Sequence, residues 1–292
     1  MKSYEILGID VGNAFTKNSS GLIFPSKITL AEPLMKTKSL VMDKKTYFIG
    51  EGELDTTYRK IDKENYLQFL FSSMALSSEC VNNFIVLGLP LSQYKEDKTE
   101  LVNKILCNRD KVVLVDGIEK HLVIQDVEVF PEGIVTLEDD FEVILIDIGG
   151  RTTDTALVIN EGGKRRIINP LSLPEGTINV LSTFVERINS KYSLDLKLSD
   201  GERILRNGLL LDGKVVNIDF AKSVVEELAE SIITRLQVTY SLRTNYISLT
   251  GGGARMTYSS FKDRLGDAVS IQKNNMFANA FAYKELGMSI WR

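Results

Sequence analysis

The chain has 292 residues and a formal net charge of −4, with 43% apolar and 25% charged residues. This is the composition of an ordinary globular protein, so a collagen-like fibre, a coiled coil and a disordered tail are excluded. The length is close to the roughly 250 to 300 residues at which single cores divide, which predicts two domains or lobes. The acidic balance argues against direct nucleic-acid binding, which usually needs a strongly basic face.

Signals for a membrane or an oxidising compartment are weak in this sequence. No stretch approaches the ~18 continuous apolar residues of a membrane span, and the amino end does not resemble a signal peptide. Cys80 and Cys107 are too few for a disulfide framework or a thiolate zinc cage. We therefore expect a cytoplasmic protein. The single histidine, His121, excludes a His-rich metal site, and we expect it at the surface of a hairpin.

Strand and helix patterns alternate along the first half of the chain. The predicted elements are a buried strand from Tyr4 to Asp10, a strand near Phe15 to Asn18, a hairpin from Leu40 to Gly50, a strand from Phe84 to Leu89 and a helix from Lys95 to Leu106. Apolar residues at positions 66, 69, 70 and 74 predict another helix, with Asp62 as its N-cap.

The second half repeats this alternation and predicts an α/β fold. The predicted elements are a buried strand from Val143 to Asp147, a partner strand from Thr152 to Ile159, a helix opened by Pro174-Glu175, a longer helix striped by residues 220 to 236 and a strand from Tyr246 to Thr250. The last strand runs into three consecutive glycines, Gly251 to Gly253.

Two segments place a carboxylate and then a glycine after a buried strand. Asp10 is followed by Gly12 and Asn13, and Asp147 is followed by Gly149 and Gly150. Either motif alone is typical of a turn. Two in series favour a clamp for a triphosphate, because glycine lets backbone amides approach an anion and carboxylates hold Mg²⁺ mostly through water.

These motifs resemble the actin-type ATPase superfamily. Asp10 to Lys17 is similar to its first phosphate loop, Asp147 to Asp154 to its second, Ile247 to Ala254 to its adenosine loop, and Phe277 to Ala282 to its second connecting segment. Three further segments are similar to plasmid-partition actins of the ParM type: Gly88 to Tyr94, Phe130 to Gly133 and Ser199 to Leu205.

The resemblance implies an α/β, actin-like fold of two lobes. Each lobe would have a ribonuclease-H-like βββαβα core, with the nucleotide in the cleft between them. Lobe I would contain residues 1–138 and 274–292, with a small insertion at about 31–80. Lobe II would contain residues 139–273, with an insertion at about 180–220.

The resemblance also implies roles for single residues. Asp10 and Asp147 would hold Mg²⁺ mostly through water, and Glu132 would orient the attacking water, with Asp154 as a second residue directed at it. The nucleotide, ATP or GTP, would contact Gly12, Asn13, Lys17, Gly149, Gly150, Arg151, Thr152, Glu202, Arg203, Gly251, Gly252 and Gly253. Local alternatives stay open: Glu132 as a first-turn helix acid after Pro131, Asp154 as a packing or capping residue, and Arg151 as a solvated turn residue.

The implied function is that of a filament-forming actin homologue that hydrolyses ATP or GTP and segregates plasmid DNA. It would contact itself in a polar filament and a ParR-like adaptor bound to centromeric DNA, with no direct nucleic-acid or membrane contact. Asn13 stands where actins and ParM proteins usually have Ser or Thr. The Asp-x-Gly-Asn pattern also occurs in type III pantothenate kinases, so a small-molecule kinase is the alternative. A chaperone of the seventy-kDa heat-shock type would need a substrate-binding domain for which this sequence offers no segment.

Overall fold

Two β-sheets organise the chain. The computed structural model describes residues 3–55, 57–137, 142–162 and 164–292. Within these residues the first sheet has nine strands and the second has five, and one short hairpin stands apart from both.

The first sheet is built from the first half of the chain. Its strands are β1 (Tyr4–Val11), β2 (Phe15–Asn18), β3 (Ile23–Pro25), β4 (Lys27–Thr29), β5 (Ser39–Met42), β6 (Lys45–Leu54), β7 (Asn82–Leu89), β8 (Asp110–Val115) and β9 (Ile118–Pro131). Their order across the sheet is β3-β2-β1-β7-β9-β8-β5-β6-β4. Strands β1, β7 and β9 are parallel neighbours, so their carboxyl ends meet at one edge of the sheet.

The second sheet repeats the hairpin-then-parallel arrangement. The remaining strands are β10 (Val143–Ile148), β11 (Thr153–Glu161), β12 (Lys164–Leu173), β13 (Leu209–Leu211), β14 (Lys214–Val216), β15 (Ile247–Thr250) and β16 (Val269–Ile271). The sheet order is β12-β11-β10-β15-β16, and β13 pairs only with β14. Strand β10 is antiparallel to β11 and parallel to β15. All six residues of β10 are buried, as expected for a strand covered on both faces.

Helices cover the faces of the two sheets. They are α1 (Tyr66–Ser77), α2 (Leu91–Leu106), α3 (Thr177–Tyr192), α4 (Leu198–Asn207), α5 (Asp219–Thr239), α6 (Ala254–Leu265) and α7 (Ala278–Trp291). Helices α1 and α7 pack on β1 of the first sheet, while α3 packs on α5 and α5 on α6 beside the second. Among the described residues, no helix has the length and apolar character needed to cross a membrane.

The predicted apolar face of α1 is confirmed. Phe69, Leu70 and Met74 are buried and join the core of the first sheet. Burying each of these side chains contributes about 1.5–3 kcal/mol to folding. The predicted hairpin around residues 40–50 is also confirmed as β5–β6, and its turn residues Asp43 and Lys44 both have positive φ, as a tight two-residue hairpin turn requires.

Two predicted helix starts are wrong. Helix α1 begins at Tyr66 after Asn65, because Asp62 closes a separate 3-10 turn, Lys60–Asp62, three residues earlier. Helix α3 begins at Thr177 after an extended Gly176. Pro174-Glu175 therefore precedes this helix, since Thr153 Oγ1 on β11 donates a hydrogen bond to the Glu175 carbonyl at 2.8 Å and ties the segment to the sheet.

The surface position predicted for His121 is confirmed. It lies exposed on β9 opposite Val112 of β8, and its Nε2 is 2.8 Å from Asp110 Oδ1. The predicted boundary between residues 138 and 139 falls on residues 138–141, which lie outside the described part of the chain.

Candidate functional site

A cavity of about 70 Å³ lies where the two sheets face each other. Residues of both predicted phosphate loops line it, together with Glu132 and part of the glycine loop after β15. The predicted site residues that the structure brings together here are Asp10, Gly12, Asn13, Lys17, Glu132, Asp147, Gly149, Gly150, Thr152, Gly251 and Gly252.

The two loops have the same internal construction. In the first, the Gly12 amide donates a hydrogen bond to the Phe15 carbonyl at 3.1 Å, and in the second the Gly149 amide donates to the Thr152 carbonyl at 2.8 Å. They also touch, because a Cβ on Gly150 would lie 2.9 Å from the Cβ of Ala14. Two turns distant in sequence thus form one continuous lining.

Each loop carboxylate faces a different partner across its hairpin. Asp10 on β1 is opposite Lys17 on β2, whereas Asp147 on β10 is opposite Asp154 on β11. The Lys17 Nζ lies 2.9 Å from Asp10 Oδ2. The same hairpin register therefore gives one carboxylate a cation and the other a second carboxylate.

The pKa values of the two carboxylates diverge for this reason. Burial raises the pKa of Asp10, but Lys17 and Lys60 outweigh it, so the pKa of Asp10 lies below its ordinary value. Burial raises the pKa of Asp147 to about 6, and repulsion from Asp154 adds to that rise. Asp10 is thus ionised at neutral pH, while Asp147 titrates close to it.

Asp154 lies behind this lining rather than on it. Its carboxylate accepts hydrogen bonds from Ser172 Oγ and, at 3.3 Å, from Thr152 Oγ1. The backbone amide of Leu91, at the start of α2, also bonds to it. Burial raises the pKa of Asp154 against these bonds. Asp154 therefore connects a helix of the first sheet to the second loop.

Glu132 is held at the carboxyl end of β9. Its backbone amide donates to the Leu89 carbonyl at 2.9 Å, and the short 3-10 helix that follows begins only at Ile134. Glu132 thus precedes that helix, contrary to the first-turn alternative. Burial raises the pKa of Glu132 to about 7, although Lys60 opposes that rise. The Glu132 carboxyl group thus titrates near neutral pH, the range that suits a group that accepts and returns protons.

Lys60 also lines the cavity, although no sequence pattern predicted it. Its ammonium group forms an ion pair with Glu132 Oε1 and lies 3.6 Å from Asp10 Oδ1, and its side chain is only 3% exposed. Burial lowers the pKa of Lys60, yet the carboxylates of Glu132 and Asp10 outweigh burial and keep the pKa above its usual value. No local motif marks this lysine, so the fold alone reveals it.

Two asparagines that line the cavity form hydrogen bonds to other residues of its lining. Asn279 on α7 donates from Nδ2 to Asp147 Oδ2 at 3.2 Å and accepts from the Gly133 amide at 2.8 Å. Asn275 donates to the Gly251 carbonyl at 2.6 Å. Asn279 lies inside the segment resembling the second connecting segment, and that motif is the signal by which it could have been chosen.

Besides Asp154, four predicted residues do not line the cavity. Gly253 donates from its amide to the Ile148 carbonyl at 2.9 Å and caps the start of α6. Arg151 is partly buried, and among the described residues its Nε has no hydrogen-bond partner. Glu202 and Arg203 are exposed on α4, where they pair with Arg206 and Asp200.

The chemistry of the lining suits a divalent cation that arrives with phosphates. Within residues 3–55, 57–137, 142–162 and 164–292, no group of three His, Cys, Asp or Glu side chains could hold a metal ion. Asp10 and Asp147 nevertheless offer hard oxygen atoms, as does Asn13 Oδ1, which is buried and has no hydrogen-bond partner in the described part of the chain. Mg²⁺ prefers such oxygens and keeps several waters, so these residues fit it when water and phosphate complete its shell.

Comparison with known proteins agrees with this architecture. The sequence matches the family of actin-like protein N-terminal domains over residues 8–134 and the C-terminal domain of archaeal MreB-like actin homologues over residues 145–263. No curated protein sequence matches the chain significantly.

Solved structures show the same fold. A 15-stranded ParM filament from Clostridium botulinum is similar at TM-score 0.82 and 20% identity, covering 97% of this chain and 99% of that one. The archaeal actin homologue Ta0583 in complex with ADP is similar at TM-score 0.82 and 19% identity, again covering 97% and 99%. The actin-like protein Alp7A is similar at TM-score 0.74 and 16% identity, covering 98% and 96%.

The α/β, actin-like fold predicted from the sequence is therefore confirmed. The chain belongs to the actin-like superfamily, and ParM proteins and archaeal actin homologues are among its structural neighbours.

Proposed function

We propose that this chain binds a nucleoside triphosphate with Mg²⁺ between its two sheets, hydrolyses it and assembles into filaments. The observation that carries the proposal is the convergence of two Asp-x-Gly loops, one from each sheet, on a single cavity. Their lining of backbone amides, a lysine and two carboxylates matches the needs of a triphosphate and its metal ion.

Some groups of the chain would bind the phosphates, and others would bind the water molecules around Mg²⁺. Backbone amides of Asn13 and Gly150 would donate to phosphate oxygens, and Lys17 would place a positive charge beside them. Gly12 and Gly149, whose amides bond within their loops, would let the backbone approach the phosphates closely. Asp10 and Asp147 would hold Mg²⁺ through water. When bound, Mg²⁺ supplies charge neutralisation for the phosphates.

Glu132 would orient the attacking water and accept its proton. Its Oε1 is engaged by Lys60, which leaves the second carboxylate oxygen as the acceptor for water. A carboxyl group whose pKa is about 7 has the affinity to take up and return a proton near neutral pH. Asp154 would act indirectly, through the hydrogen bond that it accepts from Thr152.

The nucleoside would extend away from the phosphates toward the loop of Gly251, Gly252 and Gly253, with Glu202 and Arg203 of α4 as further contacts. A cavity of about 70 Å³ is smaller than the roughly 300–1,000 Å³ of a typical ligand pocket. We therefore propose that the two sheets separate when a whole nucleotide binds. The lobes in question would be residues 1–138 with 274–292, and residues 139–273, with insertions at about 31–80 and 180–220.

The proposed function also includes filament assembly and plasmid segregation. A ParM filament and other actin-like proteins have this fold, which supports self-association into a polar polymer in the cytoplasm. Assembly would be favoured with ATP or GTP, and hydrolysis would loosen the polymer through the different stability of the two states. DNA would be reached through a ParR-like adaptor, in keeping with the net charge of −4.

Light scattering and pelleting with Mg²⁺ and either ATP or GTP test this proposal. We expect polymer with triphosphate, less with diphosphate, and a loss of assembly in Asp10→Asn. The matched control is Asp195→Asn, at a carboxylate whose side chain is 93% exposed. Absence of polymer at every protein concentration would overturn the filament proposal, and absence of phosphate release would overturn hydrolysis.

A small-molecule kinase is the second candidate, and the observation that favours it is the amide of Asn13 in the first loop. Its Oδ1 is buried and has no partner among the described residues, so it would be free to accept a hydrogen bond from the hydroxyl group of a substrate that receives the phosphate. Transfer of phosphate to a metabolite without polymer formation would support this alternative.

A further inference from the structure

One short segment carries Lys60 into the cavity. We define the strap as residues 57–65, between β6 and α1, with the 3-10 turn Lys60–Asp62 at its centre. The strap has few apolar residues of its own, yet Lys60 and Ile61 are both buried. Contacts with another element must therefore hold it in place.

Helix α2 supplies those contacts. Gln93 accepts a hydrogen bond from the Lys60 amide at 3.0 Å and donates one to the Tyr58 carbonyl at 3.0 Å. The Asp97 carboxylate accepts a bond of 2.5 Å from Arg59. The Lys104 ammonium donates to the Ile61 carbonyl at 2.6 Å.

The three anchoring side chains lie on one face of α2. Positions 93, 97 and 104 are separated by four and seven residues, which is close to one and two turns of an α-helix with about 3.6 residues per turn. Gln93 and Asp97 are only 5% and 1% exposed. Polar side chains so deeply buried are costly unless they are bonded, and here every one of these bonds goes to the strap.

The Lys60 ammonium is thereby fixed between two acidic groups. It pairs with Glu132, at the end of β9, and lies 3.6 Å from Asp10, at the end of β1. Asp10 already has Lys17 as its closer cation, at 2.9 Å. Lys60 is therefore the cation that serves Glu132, and a fixed donor on one carboxylate oxygen fixes the direction of the other.

We propose that Lys60 is a positioning residue for hydrolysis: the strap, held on α2, places its ammonium so that Glu132 is aimed at the attacking water. This proposal rests on the proposed function, because it assigns Lys60 a task in that reaction. Lys60 acts through Glu132, so its loss lowers the rate of the chemical step more than the affinity for nucleotide.

The test compares three single variants. Lys60→Met removes the charge and keeps roughly the length of the side chain. Lys60→Arg keeps the charge, and Lys63→Met is the matched control. Lys63 is a second fully buried lysine of the strap, bonded at 3.4 Å to the Asp55 carbonyl rather than to a carboxylate. Thermal melting of each variant shows whether it folds.

We expect Lys60→Met to lower kcat by about 10- to 100-fold, the scale of a misplaced reacting group, with a smaller change in the dissociation constant for ADP. Lys60→Arg loses less than Lys60→Met because it keeps a positive donor. Lys63→Met lowers kcat less than Lys60→Met, because Lys63 makes no ion pair with Glu132 and affects that carboxylate only at longer range. Equal kcat in Lys60→Met and wild type, or a loss confined to nucleotide affinity, overturns the proposal.

A double-mutant cycle separates positioning from a general structural effect. If Lys60 acts through Glu132, then Lys60→Met costs little further rate in a Glu132→Gln background, where the aimed carboxylate is already gone. Additive losses overturn the proposal. The proposed function fails separately: a wild-type protein that releases no phosphate overturns both, whereas an active wild type with additive losses overturns only the role of Lys60.

Discussion

Asp147 and Asp154 face each other across the β10–β11 hairpin, both buried, in the register that pairs Asp10 with Lys17 in the first sheet. The second sheet thus holds two acids where the first holds an acid and a base. Burial is the larger cause of the raised pKa of Asp147, and the facing carboxylate adds to it.

Asp154→Asn should therefore lower the pKa of Asp147 from about 6 toward its ordinary value, without reaching it. The substitution keeps the size of the side chain, removes the like charge and replaces one acceptor oxygen by an amide donor. NMR titration of the Asp147 carboxyl carbon measures the change. Glu161→Gln, at an exposed acid on the same strand, is the control. An unchanged pKa in Asp154→Asn would show that burial alone sets it.

Neighbouring glycines after β15 should respond differently to alanine. A Cβ on Gly251 would overlap Asp147 Oδ1 and the Ile148 carbonyl, and its φ of +84° already disfavours a side chain, whereas a Cβ on Gly252 would meet no atom within 4 Å. We expect Gly251→Ala to lower the free energy of unfolding by about 1–3 kcal/mol and Gly252→Ala to leave it nearly unchanged.

Urea unfolding of the two variants measures this difference. Gly252→Ala has a second expected effect, because Gly252 lines the cavity: weaker nucleotide binding at unchanged stability. Equal stability of the two variants would contradict the packing described for Gly251.

Lys63 should make stability depend on pH in the alkaline range. Burial lowers the pKa of Lys63 to about 8 from 10.5. The folded state releases the proton of this lysine at lower pH than the unfolded state does. Stability therefore rises as pH increases from the folded pKa to the unfolded pKa, and it is lost again as pH falls through the folded pKa. Relative to Lys63→Met, the wild type should thus gain stability between pH 8 and 10.5, by up to on the order of 3 kcal/mol.

Chemical unfolding of wild type and Lys63→Met at several pH values gives this difference directly. Taking the difference cancels the titration of the other lysines and tyrosines. A difference that stays constant across the interval would mean that Lys63 titrates normally.

Glu132→Gln should separate assembly from hydrolysis. The amide keeps the shape of the side chain but is a poor proton acceptor, so phosphate release should slow by about 10²- to 10⁴-fold while polymer still forms with triphosphate. Release assays and pelleting on the same samples measure both. Glu128→Gln, at a partly exposed acid of β9 paired with Lys98, is the control, and unchanged turnover in Glu132→Gln would remove Glu132 from the mechanism.

Local pattern was sufficient to predict the strands and loops that build the site. The buried runs before Asp10 and Asp147 and the glycines after them identify two strand-end loops, because each signal is contained within about ten residues. The start of α1 was misplaced because Asp62 is an acceptable N-cap by sequence, yet a 3-10 turn occupies that place.

The role of Lys60 could not be read from the sequence. Its position depends on bonds from Gln93, Asp97 and Lys104, some 33 to 44 residues later in the chain, and a contact of that range has no periodic signature. Glu202 and Arg203 show the converse: a family-like motif predicted them at the nucleotide, but in this arrangement they are exposed and paired with their helical neighbours.

The two carboxylates that line the cavity, Asp10 and Asp147, belong to separate sheets. The distance between them therefore depends on how the two sheets are oriented. A ligand that contacts Asp10 and Asp147 together would bind best at one distance between the two carboxylates. It would therefore favour one orientation of the two sheets over others. A tenfold preference for one arrangement corresponds to about 1.4 kcal/mol. Loss of a single phosphate from such a ligand would thus change the preferred orientation of the two sheets and so the relative positions of the outer surfaces of the molecule.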